Sequence, residues 1–315
     1  MDTFRDQLAV VTGGGTGMGR ELVRQLAAAG ADVAMCDVNE ENMAGTTELV
    51  ASDGSTSVKL SSHICDVSDE AQVLAFRDAV MVSHDTEHID VLFNNAGIGG
   101  GGSFVEDERD SWELTYNVCW NGVYYCARAF MDMLVKSQGG ALVNTSSING
   151  FWASIGPDTP HTAYSAAKFA VKGFTEALIT DFRVTAPHLS AHVVMPGHIG
   201  TSIAINSTEA HGGVDIVTLR KRLALRGLPV DQLSDEELEA IVVDRGEAFR
   251  DDAPTSAAQA ATIILDGVLA GQWRILVGDD AEAIDEMVRS DPWSAYESDF
   301  IDRMTEAGHF GGLIR

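Results

Sequence analysis

The sequence predicts a three-layer α/β fold, a doubly wound parallel sheet of about seven strands with helices on both faces. Three observations lead there. Short apolar runs rich in β-branched residues alternate along the chain with longer amphipathic stretches. The first run passes straight into a glycine cluster and then a helix. Most runs end in Gly, Asn, Asp or Ser, the residues that stop strands. Sustained strand–helix alternation implies parallel strands, because each crossover helix carries the chain back to the same end of the sheet.

Residues 8–13 (LAVVTG) read as the first strand. After it Met18, Leu22 and Leu26 recur every four residues along one helical face, and Gly30 is placed to end that helix. Residues 32–38, 58–67, 89–97, 141–147, 191–197 and 274–278 read as the six further strands. Two stretches break the rhythm. Residues 198–253 form a long insertion before the last helix–strand pair. Within it Ser234 and Glu237 make a capping box, with Leu233 and Leu238 at the staple positions, so a helix is expected from Asp235. The tail beyond Gly278 carries Trp293, Tyr296, Phe300 and Phe310, too many aromatics for a solvated tail. The expected organisation is one domain over residues 1–280, containing the 198–253 insertion, and a 281–315 extension packed on the body or on a neighbouring subunit.

The 315 residues include 21 Lys+Arg against 47 Asp+Glu, a formal net charge of −26, and 45% are hydrophobic. That composition builds a core and excludes disordered, collagenous and small disulfide classes. Its negative field repels nucleic-acid phosphates and anionic lipid heads, so neither partner is expected. No apolar stretch approaches the ~18 residues of a membrane span. The N-terminus has acidic residues and glycines where a signal peptide would be apolar, so a cytoplasmic location is expected. Cys36, Cys65, Cys119 and Cys126 are scattered without metal-ligand spacing, and no metal is expected.

The first strand runs into Thr12-Gly13-Gly14-Gly15-Thr16-Gly17-Met18-Gly19. Glycines there let the backbone turn tightly and approach a pyrophosphate, whose charge rests on the helix N-terminus. The spacing is TGxxxGxG, and no GK[ST] follows, so a P-loop reading fails. Asp37 closes the second strand, where a carboxylate accepts hydrogen bonds from ribose hydroxyls and repels a 2′-phosphate. Between Glu21 and Lys59 the only basic residue is Arg24, mid-helix. Position and missing basic neighbours favour NAD over NADP. Asp66-Val67 ends the third strand and Asn94-Asn95-Ala96-Gly97 the fourth, at the sheet end where ligands of such folds bind. Singly, each is ordinary turn chemistry.

Tyr164-Ser165-Ala166-Ala167-Lys168 places a phenol and an ammonium on one helical face. A free Tyr, with a pKa of about 10, is a poor base near neutrality. An ammonium neighbour favours the phenolate, and a three-unit pull takes about 4 kcal/mol of differential interaction. Alone, the pair is a surface feature of an amphipathic helix. Ser147 ends the fifth strand, and its hydroxyl would bond a substrate oxygen whose charge changes during reaction. No GxSxG surrounds it, which argues against a serine hydrolase. Pro196-Gly197-His198-Ile199-Gly200-Thr201 follows the sixth strand and would close over a nicotinamide.

Together these motifs resemble the short-chain dehydrogenase/reductase family in its shorter, single-domain form. The match covers residues 8–201 and, less sharply, 253–280, with the glycine loop, acidic strand end, DV, NNAG, Ser, YxxxK and PGxxxT in the family's order. The resemblance implies a Rossmann-type fold and NAD(P)-dependent interconversion of an alcohol and a carbonyl. It implies Tyr164 as acid/base, Lys168 as ligand of the nicotinamide ribose and depressor of the Tyr pKa, and Ser147 as orienter of the substrate oxygen. Ile199 and Thr201 would hold the carboxamide. Family members usually form dimers or tetramers through helices that here span about 112–136 and 161–183, so a homodimer or homotetramer is expected.

Departures from the family pattern are informative. Aligning Trp112 and Gly122 with the family's VNxxGV-like helix puts Cys119 at the position of an Asn that serves a water-linked proton relay, with Asn117 and Asn121 flanking it. Either the relay passes through backbone and water, the favoured reading, or the helix is locally shifted and an Asn substitutes. A reactive Cys119 has no support nearby in sequence. The Ser147–Tyr164 spacing is a few residues longer than usual, placing 156–161 beside the pocket; His161 would tune Tyr164 or be merely structural. Phe151 and Trp152 would wall an apolar substrate or fill core. Arg220, Lys221, Arg222 and Arg226 lie in the insertion that the family uses as a substrate lid, and would recognise an acidic group or form a solvated face. The leading expectation is an NAD-dependent dehydrogenase acting on a lipophilic, cyclic or steroid-like secondary alcohol or its ketone. The alternatives are a catalytically silent NAD(H)-binding sensor of the same fold and, last, an epimerase or dehydratase of the extended relatives.

Overall fold

The computed structural model describes residues 3–55, 57–156, 159–225 and 230–306. Its strands are Leu8–Thr12 (β1), Asp32–Asp37 (β2), Leu60–Ile64 (β3), Val91–Asn94 (β4), Ala141–Thr145 (β5), Ser190–Pro196 (β6), Ile199–Gly200 (β7), Thr255–Ser256 (β8) and Arg274–Val277 (β9). The helices are Gly17–Ala28 (α1), Glu40–Ser52 (α2), Glu70–His84 (α3), Arg109–Tyr116 (α4), Gly122–Val135 (α5), Thr162–Thr185 (α6), Ile203–Ala210 (α7), Ile216–Leu225 (α8), Asp235–Asp251 (α9), Ala257–Leu269 (α10), Asp279–Ser290 (α11) and Phe300–Glu306 (α12). Seven strands form one sheet in the order β3-β2-β1-β4-β5-β6-β9, all pairings parallel, as expected. The short parallel pair β7·β8 lies outside it and has no apolar run to announce it.

Side chains alternate along each strand, so neighbours face opposite layers. Val11, Val33, Val91, Val143 and Ile275 pack with Leu22 and Leu26 of α1, Met43 of α2 and Ile264 of α10. Val10, Ala34, Leu92 and Leu142 pack instead with Phe76 of α3, Phe130 of α5 and Phe182 of α6. Truncating the fully buried Phe130 to Ala would cost about 3–5 kcal/mol, a large share of the ~5–15 kcal/mol that holds a domain folded.

The strand order reverses at β1, which pairs with β2 on one side and β4 on the other. The two halves of the chain leave this point in opposite directions and open a crevice at the carboxyl ends of the strands. Over that crevice the insertion contributes α7, α8 and α9. Its α9 starts at Asp235 with both halves of the capping box formed, as the sequence predicts. The tail folds back on the body: Trp152 Nε1 donates to the Ala295 carbonyl (2.7 Å), and the Trp152 and Phe300 rings lie 5.3 Å apart. Phe300 is buried, whereas Trp293 is 90% exposed. Phe310 lies outside the described residues. Among the described residues, no helix is long and apolar enough to cross a membrane.

Candidate active site

The glycine loop is shaped by contact with the strand ends behind it. A Cβ on Gly19 would sit 1.9 Å from the Gly13 carbonyl oxygen, so only glycine lets α1 begin there. Thr12 Oγ1 accepts from the Asn95 and Ala96 amides (3.0 Å each), and Asn95 Nδ2 donates to the Thr12 carbonyl, which stitches the glycine loop to Gly97. Asp37 accepts from the Gly15 amide through Oδ2 (3.0 Å) and from the Asn39 amide through Oδ1 (3.1 Å), fixing a carboxylate at the loop. Asp66 caps the Ser68 amide and hydroxyl, and Val67 packs against Gly122.

Two features here were not legible. Arg20 follows directly on Gly19, and its Nε donates to the Gly15 carbonyl (2.9 Å) and to Thr46 Oγ1 (3.1 Å). It braces the loop from behind, while Arg24 is paired with Glu21 and Asp53. Asn94, expected at the cofactor, has its side chain turned elsewhere. It is buried, donating to Asn144 Oδ1 (2.8 Å) and the Val123 carbonyl (3.4 Å), because strand alternation turns it into the helix layer opposite Asn95.

Ser147 follows β5, Tyr164 lies in the first turn of α6, and Lys168 is one turn further. The Ser147 hydroxyl accepts from the Asn149 amide (3.1 Å) and lines the same crevice as the Tyr164 phenol. Lys168 is buried; its Nζ donates to the Thr145 carbonyl (2.9 Å) and lies 5.3 Å from the Tyr164 ring centroid. Burial pushes the Tyr164 phenol above its ordinary range; the Lys168 ammonium pulls it back, Cys119 adds to the rise and Ser147 offsets a little of it. The His161 ring stands 4.7 Å from that of Tyr164, and burial pushes its pKa down to about 4, leaving a neutral imidazole beside the phenol.

Between α4 and α5 the helix widens into a π turn, Asn117–Asn121. Such turns frequently mark functional sites. Cys119 is buried in it, and its thiol donates to the Ile98 carbonyl (3.1 Å). Asn121 Nδ2 donates to Asn117 Oδ1 (2.9 Å), and neither residue lines the crevice. Among the described residues no cluster of three or more His, Cys, Asp or Glu is placed to hold a metal.

The crevice has a volume of about 700 Å³ and brings together Met18, Asn95, Gly97, Ser147, Tyr164, Lys168, Pro196, Gly197, Ile199 and Thr201. Its remaining lining is mixed: Ile155, Ile203, Val214, Leu219, Val242 and Phe249 are apolar, while Asp107, Ser207, Thr208, His211, Asp215 and Thr218 are polar. Phe151 and Trp152 are not part of it: Arg274 stacks on Phe151, and Trp152 is core beneath the tail. Polar contacts tie the insertion to the glycine loop and to Gly99. Asn206 Nδ2 donates to Thr16 Oγ1 (3.2 Å), and Ser207 Oγ accepts from the Gly99 amide (2.7 Å). His211 Nε2 lies 3.0 Å from the Gly99 carbonyl, and a Cβ on Gly100 would meet its ring at 2.2 Å. Arg220 donates to the Val230 and Leu233 carbonyls and to Asp235, and Lys221 pairs with Glu106 (3.0 Å). Arg220 ties lid segments together, and Lys221 ties the lid to the segment before α4. The Arg222 side chain and Arg226 lie outside the described residues.

The 196–201 loop is tethered on several sides. The Gly197 amide donates to the Val277 carbonyl (3.0 Å), and Ile199 and Gly200 pair with Thr255 and Ser256. Asp280 Oδ2 accepts from the His198 amide (2.6 Å); burial pushes this carboxyl upward, and the amide offsets part of the shift. No sequence motif points to Asp280, which is 82 residues from its partner.

The short chain dehydrogenase family matches residues 7–212. The chain is 34% identical over 289 residues to an oxidoreductase named SadH from Mycobacterium tuberculosis, covering 92% of each protein. It is 32% identical over 201 residues to 3beta-hydroxysteroid dehydrogenase 2 of Eggerthella lenta, covering 63% of this chain and 73% of that one. A solved short-chain dehydrogenase/reductase from Burkholderia phymatum, in complex with NAD, superposes with a TM-score of 0.75 at 27% identity, covering 93% of this chain and 95% of that one. With its parallel sheet and its crevice at the switch point, the chain belongs to the short-chain dehydrogenase/reductase family and is an oxidoreductase that uses a nicotinamide cofactor.

Proposed function

We propose that the protein is an NAD-dependent dehydrogenase/reductase that interconverts a lipophilic, cyclic secondary alcohol and its ketone. The observation that carries this reading is the Tyr164 phenol, flanked by the Lys168 ammonium at 5.3 Å and sharing its crevice with Ser147. When bound, the nicotinamide accepts or delivers the hydride. Ser147 orients the substrate oxygen, and the Tyr164 phenolate takes the hydroxyl proton during oxidation or returns it during reduction. Lys168 favours the phenolate electrostatically, and its remaining N–H donors serve the ribose. Asp37, fixed at the glycine loop with Arg20 and Arg24 engaged elsewhere, supports NAD over NADP. The lipophilic substrate rests on the lid residues, and the steroid dehydrogenase among the relatives is in keeping with it. Assembly as a homodimer or homotetramer through α5 and α6 is part of the same reading, since Tyr124 and Phe169 are exposed there.

The test is NAD and NADP reduction across a panel of lipophilic secondary alcohols, with Tyr164→Phe alongside. NAD-linked turnover that falls at least about a hundredfold in Tyr164→Phe, with NADH binding retained, is the expected result. Full activity in that variant would overturn the assignment of Tyr164, and tight NAD binding without turnover would favour a sensor.

A further inference from the structure

The C-terminal part of the chain reaches the back of the 196–201 loop through one buried carboxylate. Asp280 lies in the first turn of α11 and is 5% exposed, with Oδ2 accepting from the His198 amide at 2.6 Å. A Cβ built on Gly197 would lie 2.3 Å from both carboxylate oxygens, and one on Gly278 would lie 2.5 Å from Oδ1. The carboxylate therefore fills the space behind the loop and fixes its backbone direct from the sheet edge. On its other side, the His198 imidazole is held by the Phe249 carbonyl of the lid (2.7 Å), and its ring lies 4.3 Å from that of Phe249. Residue 198 thus stands between the lid and the C-terminal helix, with its main chain bound to one and its side chain to the other. Gly197, His198, Ile199 and Thr201 line the crevice, while Asp280 does not.

We propose that Asp280 is a positioning residue that holds the 196–201 loop in the shape that receives the nicotinamide half of the cofactor. It acts through His198 and Gly197 and touches neither cofactor nor substrate. The proposal rests on the reading of this loop as the nicotinamide contact. Its physical basis is that a charge-assisted hydrogen bond to a backbone amide inside the protein is short and strong, and its loss leaves the amide unpaired. The loop would then sample other conformations, and binding would bear the cost of ordering it.

The test compares two ligands that share the adenosine diphosphate ribose portion, NADH and ADP-ribose, by titration calorimetry on the full chain. For Asp280→Ala the NADH dissociation constant is expected to rise about tenfold, with that of ADP-ribose unchanged within twofold. Asp280→Asn keeps one acceptor oxygen and should recover most of the NADH affinity. Equal losses for both ligands, or no loss for either, would overturn the proposal. If Asp280→Ala does not fold, Gly197→Ala reports the same point, because its methyl displaces the loop from the carboxylate; unchanged NADH affinity there also overturns it. A wild-type protein that binds NADH no more tightly than ADP-ribose would instead remove the reading of the loop itself.

Discussion

The Cys119 thiol and the Lys168 ammonium face each other across Gly97: a Cβ at Gly97 would lie 3.7 Å from Sγ and 3.5 Å from Nζ. The thiol sits in the turn where the family carries an amide side chain, but its own hydrogen bond goes to the Ile98 carbonyl. Cys119 thus lies beside Gly97 with its hydrogen committed to the Ile98 carbonyl. Cys119→Ser keeps a donor of similar size and should retain kcat within about threefold. Cys119→Ala should lose about 1 kcal/mol of stability and less than tenfold in kcat. Steady-state kinetics with thermal unfolding of both variants checks this, and a hundredfold loss of kcat in Cys119→Ser would place the thiol in the chemistry.

In the proposed reading Asp37 faces the adenosine end of the cofactor. Its carboxylate is held at the loop by the Gly15 and Asn39 amides, and a 2′-phosphate there would meet like charge. At about 4 Å and an effective dielectric near 20 the repulsion is about 4 kcal/mol per charge pair, reduced by the partial exposure of the site. Asp37→Ala should therefore raise kcat/KM for NADP by about ten- to a hundredfold while lowering that for NAD. Steady-state kinetics with both cofactors decides it, and an unchanged NADP value would show that Asp37 does not set the preference.

The ionisation of Tyr164 is a balance between burial, which raises its pKa, and Lys168 and Ser147, which lower it. In the proposed mechanism oxidation needs the phenolate, so its rate should fall as pH drops through the phenol's pKa. Lys168→Met removes a lowering influence without adding charge. The kcat–pH profile for oxidation should move to higher pH by at least about one unit, equivalent to about 1.4 kcal/mol. A profile that stays in place would mean that Lys168 serves only to bind the cofactor.

Much of this site is legible in sequence because its parts lie at strand ends, and strands announce themselves as short β-branched runs. Helical spacing puts Tyr164 and Lys168 on one face, and strand periodicity puts Ser147 at the end of β5. Their roles come from the ordered set of motifs that resembles the family. What escaped has a common origin in long-range packing. Trp152 reads equally well as pocket wall or core until Ala295 and Phe300 are seen to cover it. Asn94 sits in a motif with Asn95, yet one step along a strand reverses the side chain, and Asn144 takes it. Arg220 looks like a cation awaiting an anion, but the Leu233 carbonyl and Asp235 occupy it. The π turn at Asn117–Asn121 is a shift of backbone hydrogen bonds, which hydrophobic periodicity does not encode.

His161 gives the fold a measurable acid sensitivity. Burial holds its pKa down to about 4, against 6.5 when unburied. Between those values the unfolded chain binds a proton that the folded chain does not, so stability rises with pH through this window and falls as pH drops from 6.5 toward 4. The full difference is on the order of 3 kcal/mol. His63, His84 and His192 are also lowered by burial and add to the same trend, so the His161 share must be isolated by substitution. His161→Gln removes the titration and keeps a polar side chain beside Tyr164. Urea unfolding at pH 7 and pH 4.5 should show a smaller loss of stability on acidification for this variant than for the wild type. Equal losses in the two proteins would mean that His161 becomes protonated in the folded state at little cost, and that the imidazole is solvated rather than buried against the phenol.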